Sequence, residues 1–265
     1  MHCHQFICLT LCLGVGVTVE AQNPTSFPSA TNLTPSIQTK VTESGNVLTY
    51  SYSVSNSPSS KQALGDWGFG YQQTISIFIT MTPAGWLGNP KMGDSFAAGW
   101  TALSQPISPS GNQSGFQVEA QGLPGFVQAF AAGYIPLEKL PAFPDDQAPE
   151  DLPGSDILEN SVKITTIGPT PLPSQFDSLQ FLKYIIGLKE QAFTLGWISN
   201  GGVKTSLDAK LNAAQTALNN GNQKEAKNQL NALLNEVNAQ AGKQLSSEAV
   251  ALLQFNTQYL ISQLP

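Results

Sequence analysis

Ninety consecutive residues, 175 to 264, contain no proline, although the chain carries 18. Directly before them stands Gly168-Pro-Thr-Pro-Leu-Pro-Ser174, which reads as a stiff polyproline-type linker. The hydrophobic period changes across it, from two residues to 3.6. A chain with that break is expected to fold as two units of different class.

Upstream of the break, Leu48, Tyr50, Tyr52 and Val54 alternate with Thr49, Ser51 and Ser53, the pattern of a half-buried strand. Ser44-Gly45-Asn46 just before them is a turn signal. The alternation returns at Ile75, Ile77, Ile79 and Met81, at Phe116 and Val118, and at Val162, Ile164 and Ile167. Clusters of Gly, Pro, Asn and Ser at 56–60, 83–93, 106–115 and 123–125 read as the turns between strands. Short alternating strands with turn-rich spacers predict an antiparallel, Ig-like β-sandwich over residues 39–167.

Downstream, residues 175–265 predict a bundle of four amphipathic helices. Phe176, Leu179, Leu182, Ile185 and Ile186 lie on the first helix, which runs on through Lys189 to Phe193. Leu207, Leu211, Ala214 and Leu218 form the stripe of the second, which stops at Asn219-Asn220-Gly221, where glycine takes the left-handed cap. Asn222 with Glu225 three residues on is a capping-box-like restart for the third. The third buries Ala226, Leu230, Leu233, Leu234 and Val237, and the fourth, capped by Ser246 or Ser247, carries Leu252, Leu253, Tyr259, Leu260 and Leu264. Trp197 is expected between the first two helices.

The amino terminus directs the chain outward. Phe6 to Val19 form an apolar run too short to span a bilayer, followed by the small-x-small site Val19-Glu20-Ala21. Residues 1–21 are therefore expected to be a signal peptide cleaved before Gln22, although no lysine precedes the apolar run and the first is Lys40. The alternative is a lipid anchor on Cys12 of Leu9-Thr10-Leu11-Cys12. Residues 22–38, rich in Ser, Thr, Asn and Pro, read as a flexible tether.

Export would remove His2, Cys3, His4, Cys8 and Cys12, which are all the histidines and cysteines of the chain, and the sequence contains no arginine. No disulfide could then brace either unit, so both must be stable through apolar burial. A serine nucleophile would lack an imidazole base, and no Ser-x-x-Lys follows the leader. Nucleic-acid binding is excluded by the acidic balance and by the missing guanidinium groups. The expectation is a protein without catalytic activity. Carboxylate chemistry stays open as the alternative, a polysaccharide hydrolase, and a simple cell-envelope spacer is the structural one.

Two groups of residues offer ligand chemistry. Trp67, Tyr71, Trp86 and Trp100 fall in or beside glycine-rich turns, where exposed rings stack on sugars. The competing reading is that these rings plug the ends of the sandwich. Asp145, Asp146, Glu150, Asp151, Asp156 and Glu159 offer oxygens to Ca²⁺, without the ligand spacing of an EF-hand. Their alternative is a solvated acidic loop that guards a sheet edge. No other cofactor is expected. Asn32 and Asn112 sit in Asn-x-Ser/Thr sequences that matter only in a glycosylating host.

Gly196-Trp-Ile-Ser-Asn-Gly-Gly-Val203, with Ser206-Leu207, Lys210-Leu211, Gly221, Ala226 and Ala239-Gln-Ala-Gly-Lys243, resembles the FIMAH domain. That resemblance covers about a third of the chain and implies a helical module appended to secreted bacterial proteins, with no catalytic residues. Tyr50-Ser-Tyr-Ser-Val54, Gly85-Trp86, Trp100, Gly115-Phe116 and Leu123-Pro-Gly125 resemble an uncharacterised secreted bacterial β-domain, which implies an architecture alone. Together these readings point to an extracellular or surface-associated binding protein whose partners are carbohydrate or other extracellular proteins.

Overall fold

The computed structural model describes residues 31–45, 47–70, 75–90, 97–134 and 161–265. The segment 1–21 expected to be a signal peptide, with Cys12, and Tyr71 and the whole acidic stretch from Asp145 to Glu159 lie outside those residues. The strands are β1 (Pro35–Ser44), β2 (Val47–Asn56), β3 (Leu64–Phe69), β4 (Phe78–Met81), β5 (Trp86–Asn89), β6 (Ala98–Ala102), β7 (Asn112–Ala120), β8 (Leu123–Gly133) and β9 (Val162–Thr170). They form two antiparallel sheets, ordered β1-β2-β7-β4 and β5-β6-β3-β8-β9. Four helices follow: α1 (Ser178–Thr194), α2 (Gly201–Asn219), α3 (Gln223–Gln240) and α4 (Ser247–Gln263). None of the described helices is long and apolar enough to cross a membrane.

β2 follows its sequence pattern closely, with Leu48, Tyr50, Tyr52 and Val54 buried against the facing sheet. Between Tyr52 and Ser53 the register against β7 slips by one residue. The extra residue is Gly115, at φ +93°, a bulge conformation that an L side chain adopts only under strain.

Four strands depart from expectation. β5 and the start of β8 occupy stretches that read as turns, and β3 and β6 lie beside such turns where no strand is expected; β3, β5 and β6 mix tryptophan with glycine, and β8 opens on Leu-Pro-Gly. Trp67 sits opposite Trp100, and Gly68 opposite Gly99. The glycines leave each of β3 and β6 a single polar residue, Asp66 or Thr101, to mark alternation, and they give the indoles room. A Cβ on Gly88 would stand 2.4 Å from the Thr82 hydroxyl and 3.2 Å from the Trp100 Nε1. Two boundaries move as well. β1 begins at Pro35, inside the presumed tether, and β9 runs to Thr170, through the first proline of the presumed linker. Pro169 is tolerated because β9 is an edge strand of its sheet.

The helices keep close to their sequence reading. Asn222 accepts from the Glu225 backbone N–H at 3.1 Å, and Gly221 closes α2 at φ +70°. Asp177, Asn200 and Ser246 cap the other three helices in the same way. The bundle does not hang from a linker. α4 lies against β1, β8 and β9, and the buried apolar residues of both units form one continuous cluster. Trp197 is a correction of the same kind, since its indole stacks on Phe126 of β8 at 5.4 Å and 18° and so joins the two units. Polar groups cross the junction too. The Thr39 N–H donates to the buried Glu248 carboxylate at 2.6 Å, and Asn256 Nδ2 donates to the Pro124 carbonyl at 2.8 Å.

Candidate functional site

The three described tryptophans of the expected stacking face are core residues. Trp67 and Trp100 have no exposed surface, and Trp86 has 6%. Trp67 and Trp100 stack at 4.6 Å and 17°, with Tyr52, Phe69 and Phe116 against them. Trp86 meets the Phe116 ring edge-on at 5.1 Å. Rings enclosed on both faces cannot stack on a sugar, so Trp67, Trp86 and Trp100 are withdrawn as ligand residues. The acidic stretch brings no described residue to a site. Among the described residues, no three of His, Cys, Asp and Glu gather as a metal centre would require.

The concave surface lies where the two units meet. A groove of about 660 Å³ opens between the end of the second sheet, the segment 171–177 and the first turns of α1. That volume is within the range of small-ligand sites. Leu123 and Thr170 form one wall, Pro171 and Pro173 the rim, and Phe176, Phe181 and Tyr184 the other wall. The two phenylalanines interlock with Tyr259 at 5.9 and 5.1 Å, which fixes the aromatic wall from behind. Tyr184 stands free of that lock, 41% exposed, with Phe181 5.7 Å away. Its phenol pKa is raised by partial burial, and the Thr170 hydroxyl beside it offsets part of the rise.

Gly125 makes the approach of α1 possible. A Cβ there would come within 2.5 Å of the Thr170 side chain and 3.1 Å of the Tyr184 hydroxyl. Asn256 also lines the groove and is fully buried. Its Nδ2 donates to two carbonyls, Pro124 and Leu252, both at 2.8 Å. Those two acceptors fix the orientation of the amide, since the reverse would set oxygen against oxygen. Its Oδ1 is left without a hydrogen-bond partner among the described residues. A buried acceptor in that state costs about 1–3 kcal/mol until a donor reaches it. Asp177 is the one charged residue of the lining, and its carboxylate is engaged as the cap of α1, accepting from Gln180 N at 2.7 Å. The groove is therefore aromatic, amide-bearing and nearly neutral, suited to a ligand with ring faces and hydroxyl or amide donors.

Two further ionisable sites stand apart from it. Asp66, on β3, is pushed up to about 6 by burial, with the Thr101 hydroxyl partly opposing the shift. Lys189, with a fully buried side chain, pairs with Glu190 at 2.5 Å and with Asp208, while Lys204 meets the same two carboxylates at 3.0 and 2.9 Å. Two lysines and two carboxylates balance, and the network ties α1 to α2. Burial lowers the Lys189 pKa, and Glu190 works against that shift.

Residues 186–262 match the family model of the FIMAH domain. That stretch takes in most of α1 and all of α2 and α3, and nearly all of α4, and it leaves the sandwich outside. No curated protein matches the chain. Among solved structures, the ASH/PapD-like domain 7 of human CEP192 is similar at 11% identity, covering 61% of this chain and all of that one, with a TM-score of 0.23.

Sequence reasoning did not single out Tyr184 or Asn256. The readable signal was an asparagine one residue after Leu252-Leu253-Gln254-Phe255, in the apolar stretch of a helix. Tyr184 carries no such mark, because its place follows from the close approach of its hydroxyl to Gly125 of β8.

Proposed function

We propose that this is a non-catalytic binding protein, secreted or surface-associated, which holds a neutral carbohydrate in the groove between its sandwich and its helical module. The observation that carries the reading is the half-exposed Tyr184 ring beside the buried, donor-seeking Asn256. Aromatic faces take the C–H side of a sugar, and amide groups take its hydroxyls. The near-neutral lining supports an uncharged ligand. The apolar leader and the match of residues 186–262 to the FIMAH model support an exported setting.

The rival reading, a carboxylate-based hydrolase, draws on the raised pKa of Asp66. Both glycosidase geometries require two carboxylates flanking one bond. The Asp66 shift comes from burial and the Thr101 hydroxyl, with no second carboxylate among its causes. The test is calorimetric titration of the full chain with neutral oligosaccharides, followed by Tyr184→Ala. Binding without release of reducing ends, weakened about tenfold in the variant, is the expected result. Turnover of a polysaccharide abolished by Asp66→Asn would replace this reading with the hydrolase.

A further inference from the structure

The surface beyond Tyr184 holds a second hollow of about 360 Å³, lined by Phe126, Tyr184, Gly187, Leu188 and Gln191. Tyr184 belongs to both hollows. Gln180, Tyr184, Gly187 and Gln191 stand at steps of four, three and four residues, so they share one face of α1. At 1.5 Å per residue that stripe is about 16 Å long, several times the width of one pyranose ring.

Gly187 is the unexplained member of the stripe. It sits inside a helix, where glycine lowers stability relative to alanine. Yet beyond the adjoining backbone of α1, no atom lies within 4 Å of where its Cβ would stand, so nothing packed against the helix requires the side chain to be missing. What the missing side chain does provide is open space in the floor of the second hollow.

We propose that the groove and this hollow are two subsites on either side of Tyr184, that their ligand is a linear neutral oligosaccharide of two or more units, and that Gly187 determines admission to the second subsite. This rests on the carbohydrate reading of the first groove. The second lining bears no charged residue and ends in the Gln191 amide, as the first carries Gln180. Amides at both ends of an uncharged, ring-flanked track match hydroxyl-bearing units repeated along a chain.

The experiment is a calorimetric ladder with the full chain, using glucose-, xylose- and N-acetylglucosamine-based oligosaccharides of one to six units. One series is expected to gain at least about tenfold in affinity from one unit to three. Gly187→Leu should remove that gain and leave the single-unit affinity intact. The same variant should melt about 2 °C higher, because the helix loses its glycine. Gly187→Ala, with a smaller side chain, should remove part of the gain with the same direction in stability. A length-independent affinity, or an unchanged ladder in both variants, overturns the second subsite and leaves the Tyr184 groove standing. If no saccharide in any series binds, the groove reading and the two-subsite proposal fall together. Competition by an uncharged peptide that beats every saccharide would overturn the ligand class.

Discussion

The two units of this chain build their cores from opposite materials. Between the sheets the space is filled by Tyr50, Tyr52, Trp67, Phe69, Trp100 and Phe116, six rings that are all but fully buried. Among the helices it is filled by leucine and alanine, with Leu182, Leu207, Leu230, Leu233, Leu252 and Leu260 showing no exposed surface. Aliphatic side chains on helices can slide and repack, so the bundle tolerates local change. Stacked indoles hold one geometry and carry N–H groups that need partners. Trp100 finds one in the Thr82 hydroxyl at 3.1 Å, whereas Trp67 Nε1 and Tyr52 OH have none among the described residues. The ring core gains burial and gives up some polar satisfaction.

The largest effect expected from this contrast is in truncation. Trp67→Ala should cost about 5 kcal/mol, from the cavity and the lost ring contacts, and Leu211→Ala about 3 kcal/mol. Denaturant unfolding of both variants measures the difference, and equal costs would break the comparison.

Buried charge sharpens it with opposite signs. The bundle pairs Lys189 with Glu190 and Asp208, while the sandwich leaves Asp66 with the Thr101 hydroxyl across the strand pair. In the folded chain Asp66 keeps its proton up to about pH 6, against an ordinary value of 3.8. The folded state therefore binds more protons between those two values. The contribution of Asp66 to stability is highest below that window, falls as pH rises through it, and stays lower above it. Asp66→Asn should raise stability at pH 7 by about 2 kcal/mol and change it little below pH 4. Asp208→Asn, the same chemical change, should lower stability at pH 7 by about 1 kcal/mol because Lys189 loses a partner. Thermal melts across pH 3.5 to 7.5 separate the two signs.

The same contrast decides what was legible in the sequence. Helix positions repeat locally, so Leu207, Leu211, Ala214 and Leu218 declare their stripe, and Asn222 declares its cap. β2 was equally plain, because serine and threonine mark its outer face. In β3, Leu-Gly-Asp-Trp-Gly-Phe, and in β6, Ala-Gly-Trp-Thr-Ala, glycine takes one position of the polar face and leaves Asp66 or Thr101 to mark it alone. The indoles then read as turn residues with free faces, when they are the centre of the core. The junction was not readable for another reason. Trp197 against Phe126, Thr39 against Glu248 and Asn256 against Pro124 join residues at least 71 positions apart. No periodic pattern encodes such meetings, and the groove exists only because of them.

The most direct test of the groove is to map backbone and side-chain amide shifts of the full chain during titration with neutral trisaccharides. The account predicts changes concentrated at Thr170, Gln180, Tyr184, Gly187 and the Asn256 side-chain amide, with the β4 and β5 edge around Phe78, Met81 and Leu87 unmoved. Changes centred on that edge, or none at any trisaccharide concentration, would contradict it.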